Sequence, residues 1–60
     1  MADFVNLAGY KGWSILWHPT QHRLFIRSSG LFPKQHDFWE HPRDRVTAIE
    51  IAKAWIDDRR

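Results

Sequence analysis

Hydrophobic and polar positions alternate most regularly between Gly12 and Arg27, GWSILWHPTQHRLFIR. Trp13 to Trp17 and Arg23 to Arg27 are rich in aromatic and β-branched residues, and His18-Pro19-Thr20-Gln21 between them has the proline and polar content of a turn. The pattern predicts a β-hairpin. Pairing Trp17 with His22 across the turn sets Ile15 opposite Leu24 and Trp13 opposite Ile26, which gathers large apolar side chains on one face. Side chains alternate along a strand, so the other face carries Ser14, Leu16, Arg23, Phe25 and Arg27. A slip by one residue would bury the arginines, and the hydrophobic pattern opposes it.

The flanks are read against this hairpin. Phe4-Val5-Asn6-Leu7 alternates weakly, as an edge strand or an arm laid on the core would, and the glycines at 9 and 12 suggest a bend or bulge leading into the hairpin. Tyr10 is expected at the rim of the core. Residues 28–35 have the Ser, Gly and Pro content of a loop, with Leu31 and Phe32 expected to fold back and cap the core. His36 to His41 is short enough for a third strand, and Phe38 and Trp39 must then point to opposite faces. Thr47-Ala48-Ile49-Glu50 has the spacing of a capping box, and Ala48, Ile51, Ala52, Trp55 and Ile56 recur behind it as one apolar stripe. That stripe predicts a helix over 47–58 lying on Trp13, Ile15, Leu24 and Ile26. Arg59 and Arg60 suit the negative end of a helix dipole, whereas Asp57 and Asp58 do not.

The expected fold is therefore α+β: a small antiparallel sheet of two to three strands, covered on one face by a single C-terminal helix. Residues 1–60 form one small domain, with 1–9 an N-terminal arm or edge strand, 10–41 the sheet and 47–58 the helix. A chain of 60 residues buries only about 60% of its unfolded surface. Its nine aromatics, four of them Trp, are the expected source of stability, and association as a homodimer is the other common remedy. The absence of cysteine excludes disulfides and thiolate metal sites. The opening Met-Ala-Asp-Phe has no basic segment ahead of an apolar run, and no apolar stretch reaches membrane-spanning length. The chain thus reads as soluble and cytoplasmic, without membrane contact.

Charge alters the picture locally. The formal net charge is +2, and all of the excess lies in residues 23–45, where Arg23, Arg27, Lys34, Arg43 and Arg45 outnumber Asp37, Glu40 and Asp44. The uncovered sheet face would present Arg23, Phe25 and Arg27 about 7 Å apart, extended by Lys34, Arg43 and Arg45 from the loops. A two-stranded ribbon fits the major groove of B-DNA, about 12 Å wide, and such a face can reach phosphates, base edges or an unpaired base. The nucleic-acid-binding candidates are these six residues. Two histidine pairs, His18 with His22 and His36 with His41, sit in separate segments and do not by themselves make a zinc site. Asp37, Glu40, Asp44 and His41 could serve as acids or bases only in a cleft, and no phosphate loop, nucleophile elbow or His-Glu-x-x-His string is present. No enzyme, metal or cofactor is expected.

The run Tyr10-Lys11-Gly12-Trp13, the hairpin after it, and Thr47-Ala48-Ile49-Glu50-Ile51-Ala52-Lys53-Ala54-Trp55 together resemble the layout of two groups of small DNA-binding modules. These are the arm-binding domains at the N-terminus of phage-type tyrosine recombinases and the plant AP2 domains. The resemblance covers roughly residues 10–56. It implies a three-stranded sheet backed by one helix, with the free face entering the major groove and Arg23, Phe25 and Arg27 at the groove-facing positions of the second strand. It also implies a protein of a phage or another mobile element. This chain departs from those modules in offering Ser14 and Leu16 where they place more arginines. The competing expectation is a protein-binding module, a modulator of a host complex or a self-associating dimer, that uses Leu16, Trp17, Phe25 and Trp39 as an apolar patch rimmed by charge.

Overall fold

Lys11 and Gly12 both hold left-handed backbone, with φ of 50° and 84°, and this twist matches that of flanking strands, so a hairpin can reverse in two residues. In the computed structural model, which describes residues 3–58, this turn joins β1 (Val5–Tyr10) to β2 (Trp13–Trp17). The chain continues through β3 (Leu24–Ser28) and β4 (Gln35–Asp37) into a single helix, α1 (Arg45–Asp58). Every pairing is antiparallel between neighbours in sequence, giving the order β1-β2-β3-β4. The fold is the expected small α+β arrangement, with four strands where the pattern gave two or three. The added strand is β1. Its register with β2 shifts at Leu7, between Asn6 and Ala8, so the bulge falls there rather than at the glycines.

In the central hairpin Ile15 faces Ile26, Trp17 faces Leu24 and Trp13 faces Ser28. This corrects the expected pairing of Ile15 with Leu24 by two residues. A shift of two leaves each side chain on its expected face. It lengthens the connection to His18–Arg23, and the cause is His18. Its ring Nδ1 accepts from the backbone N–H of Thr20 (3.3 Å) and Gln21 (2.9 Å), while its backbone N–H donates to the Arg23 carbonyl (2.8 Å) and its carbonyl accepts from His22 (2.7 Å). The imidazole thus organises the turn as an Asx side chain would. With two N–H groups aimed at Nδ1, the ring proton sits on Nε2, which faces Asp3 Oδ2 at 3.9 Å. His22 completes the reversal at φ 58°.

The core lies between the sheet and α1. Ile15 and Ile26 are fully buried, and Trp17, Leu24, Ala48, Ala52 and Ile56 close around them. Tyr10, Trp13, Phe38, Ile51 and Trp55 pack half-buried at the rim. The apolar stripe of the helix therefore faces the sheet as its periodicity requires, and the two alanines leave room for the backbones to approach. Trp13 and Trp55 meet edge to face at 5.6 Å. The Trp17 indole N–H donates to the Pro42 carbonyl at 2.9 Å and so fixes the chain just ahead of the helix.

The helix begins earlier than the capping-box spacing predicts. Asp44 is the cap: its Oδ1 accepts from the Thr47 N–H (2.8 Å), and its carbonyl accepts from the Ala48 N–H (3.1 Å). The Thr47 backbone N–H holds the Asp44 carboxyl below the usual aspartate range. At the other end, Asp57 Oδ1 accepts from the Tyr10 hydroxyl (2.8 Å) and from Lys11 Nζ (2.7 Å), which ties the helix terminus to the β1–β2 turn. The hydrogen bond and charge of Asp57 raise the Lys11 pKa above its ordinary value. Asp57 thereby meets a cation that the dipole argument did not supply. Arg59 and Arg60, assigned to that dipole, lie outside the described residues. Among the described residues, no helix is long and apolar enough to cross a membrane.

Candidate nucleic-acid interface

The sheet face away from α1 is built in two rows. Leu16 of β2 pairs with Phe25 of β3, flanked by Asn6 and Asp37, and Ser14 pairs with Arg27, flanked by Gly9 and Gln35. Arg23 continues the β3 row because its carbonyl is held by the His18 N–H. Arg23 and Arg27 are exposed, on the face and in the order expected. Phe25 is only half-exposed. The Phe4 ring meets it at 4.8 Å and 75°, and also stands edge-on to His18 at 5.4 Å. The Arg27 guanidinium lies 5.7 Å from the centre of the Phe25 ring. Phe25 therefore steadies Arg27 more than it offers a bare ring. Arg27 also donates to Gln35 Oε1 (3.3 Å), whose amide donates to Asp37 Oδ1 (3.3 Å).

Lys34 closes the β3–β4 loop: its N–H donates to Ser28 Oγ (2.7 Å) and its carbonyl accepts from the Ser28 N–H (2.8 Å). It thus sits beside the Arg27 end of the row. Arg43 and Arg45 flank the helix cap and start from the helix side of the sheet, where the Pro42 carbonyl meets Trp17. The fold brings Arg23, Phe25, Arg27 and Lys34 along one strand and its exit loop, and leaves Arg43 and Arg45 behind. None of these five cations forms an ion pair with a carboxylate among the described residues. One carboxylate, Asp37, shares the face.

The alternative protein patch is dispersed. Leu16 and Phe25 are cross-strand neighbours, both half-buried. Trp17 is a correction: it is 7% exposed, because alternation turns it inward and its N–H is spent on Pro42. The expected strand over His36 to His41 is corrected to β4, which ends at Asp37; Phe38 and Trp39 lie beyond it and still diverge, with Phe38 in the core rim and Trp39 93% exposed. Trp39 stands on the helix side, where a groove of about 560 Å³ runs between it, Phe38, Ile51 and Trp55. Leu31 and Phe32 do not cap the core. They are 92% and 87% exposed, since the Ser28–Lys34 bonds close the loop behind them and its tip projects outward.

The histidines and carboxylates have separate surroundings. His18 caps a turn, His22 stacks on Trp17 (6.2 Å), and His36 stacks on Trp55 (4.2 Å). Among the described residues, no three His, Asp or Glu side chains converge as metal ligands would. Asp44 is a helix cap, and Asp37 and His41 line, with Arg23 and Phe4, a hollow of about 40 Å³, room for roughly a water or two. Compared with family models, curated proteins and solved structures, the chain matches none of them.

Proposed function

We propose that this protein is a non-enzymatic nucleic-acid-binding module that acts through the outer face of its sheet. The observation that carries the reading is the row formed by Arg23, just ahead of β3, and Arg27 on it, both exposed, with Lys34 at its end and with no carboxylate partner among the described residues. Cations with no carboxylate to neutralise them are available to phosphates, and phosphate contacts supply most of the affinity of such modules. The resemblance of the sequence to recombinase arm-binding and AP2 modules supports duplex DNA, read with the ribbon in the major groove, and a phage or mobile-element role in the cytoplasm. Binding of this kind needs no cofactor.

The test is fluorescence anisotropy with labelled duplex and single-stranded oligonucleotides across a salt series. Replacing both Arg23 and Arg27 with Ala should weaken binding and lower the slope of log K against log salt by about 1.8, two phosphate contacts' worth. Arg43→Ala with Arg45→Ala should change it less. Affinity that ignores both the arginine substitutions and the salt defeats the proposal. A protein partner is the second reading, favoured by the exposure of Trp39. Its signature is association abolished by Trp39→Ala while oligonucleotide affinity stays negligible.

A further inference from the structure

Two features at the β4 side of the molecule fit each other in chemistry and do not meet within one chain. One is the β3–β4 loop, which presents Leu31 and Phe32 almost fully to solvent and then Lys34. The other is the groove walled by Phe38, Trp39, Ile51 and Trp55, whose charged lining residues, Glu40 and Asp58, are both acidic. Within one chain the paired Ser28–Lys34 hydrogen bonds hold the loop tip away from the core. The loop runs directly into β4, the edge strand, and the residues after β4 wall the groove, so both lie along the same edge of the sheet.

We propose that this surface is a two-fold interface with a second copy of the chain. The loop of each copy inserts Leu31 and Phe32 into the groove of the other, and Lys34 meets the Glu40 and Asp58 rim. A two-fold interface is self-complementary, so one surface must carry both the inserted group and its receptor, as this one does. Phe32 and Trp39 can contribute roughly 300 to 500 Å² of the 800 Å² or so that each partner buries in a stable complex. Leu31 and the groove walls supply the rest. The interface shares Lys34 with the nucleic-acid row, but Phe32 and Trp39 are not among the nucleic-acid candidates, so their substitution tests association separately from nucleic-acid binding.

Sedimentation equilibrium of the full chain, without nucleic acid, tests it from low micromolar to about 1 mM, the range in which modest interfaces populate. The wild type should approach twice the chain mass. Phe32→Ser and Trp39→Ser, both at exposed positions and so expected to leave the circular dichroism spectrum unchanged, should each weaken association by about tenfold or more. Mixing the two variants should restore part of the loss. In the mixed pair one contact joins an intact loop to an intact groove, which neither variant has alone. A chain that stays monomeric throughout overturns the proposal, as does a dimer indifferent to both substitutions or a mixture no tighter than its components.

Discussion

The two aspartates bonded at the ends of α1 show how far single residues can be read. Asp44 and Thr47 are both acceptable caps by type, and the Thr-x-x-Glu spacing favours the second, but the Trp17–Pro42 bond sets where the chain turns in and so selects the first. Asp44→Ala should lower Tm by about 4 to 8 °C, while Thr47→Ala should leave it nearly unchanged or slightly raised. A capping box would give the reverse ranking in a thermal melt. Because the folded carboxyl of Asp44 is held below its usual range, its contribution is complete above the unfolded pKa and fades as pH falls through the folded one. Melts of Asp44→Asn, a neutral cap, should therefore differ from wild type by a constant amount above about pH 4 and converge with it only as pH falls from there toward the lowered folded pKa. The Lys11 contact has the opposite sign: the folded pKa is raised, so its contribution persists to high pH and is lost only above the ordinary lysine range.

At the scale of elements, what the pattern specifies is faces. Alternation along β2 and β3 and the 3.6-residue stripe of α1 each name a buried side, and both are found where expected. Register is a finer matter, since a displacement of two costs the pattern nothing and is decided by turn chemistry. Here that chemistry is an imidazole acting as a turn acceptor, a role residue type does not announce. Strand β1 was faint for a similar reason: it is recruited by the left-handed Lys11-Gly12 turn, and its own sequence alternates poorly. The sheet-to-helix contact rests on small residues, which gives a direct check. Ala52→Leu should cost about 1 to 3 kcal/mol by forcing the helix off the sheet. Glu50→Leu, two residues earlier on the helix and exposed, should stay within about 0.5 kcal/mol. Urea titrations with unchanged m would separate the two.

For the molecule as a whole, a chain of 60 residues can be expected to have roughly 3 to 9 kcal/mol of stability. Ile26 is fully buried at the centre of the sheet. Ile26→Ala should cost about 2 to 5 kcal/mol, a large part of that total, and lower Tm by at least about 8 °C. A smaller shift would mean that the site collapses around the cavity. The candidate interface was legible to the extent that it follows from alternation: Phe25 and Arg27 share one side of β3, and Arg23, just ahead of it, continues their row. The cover of Phe4 over Phe25, and the separation of Arg43 and Arg45 from the rest, depend on where distant segments land, and no local spacing carries that information.

The order of elements has a consequence for how the protein comes into being. All four strands precede in sequence the helix whose alanine ridge seals them. Until that helix arrives, the emerging chain carries a bare oily surface centred on Ile15 and Ile26. A chain cut short ahead of residue 45 would keep that surface uncovered and should be recovered as an aggregate rather than as a shorter domain.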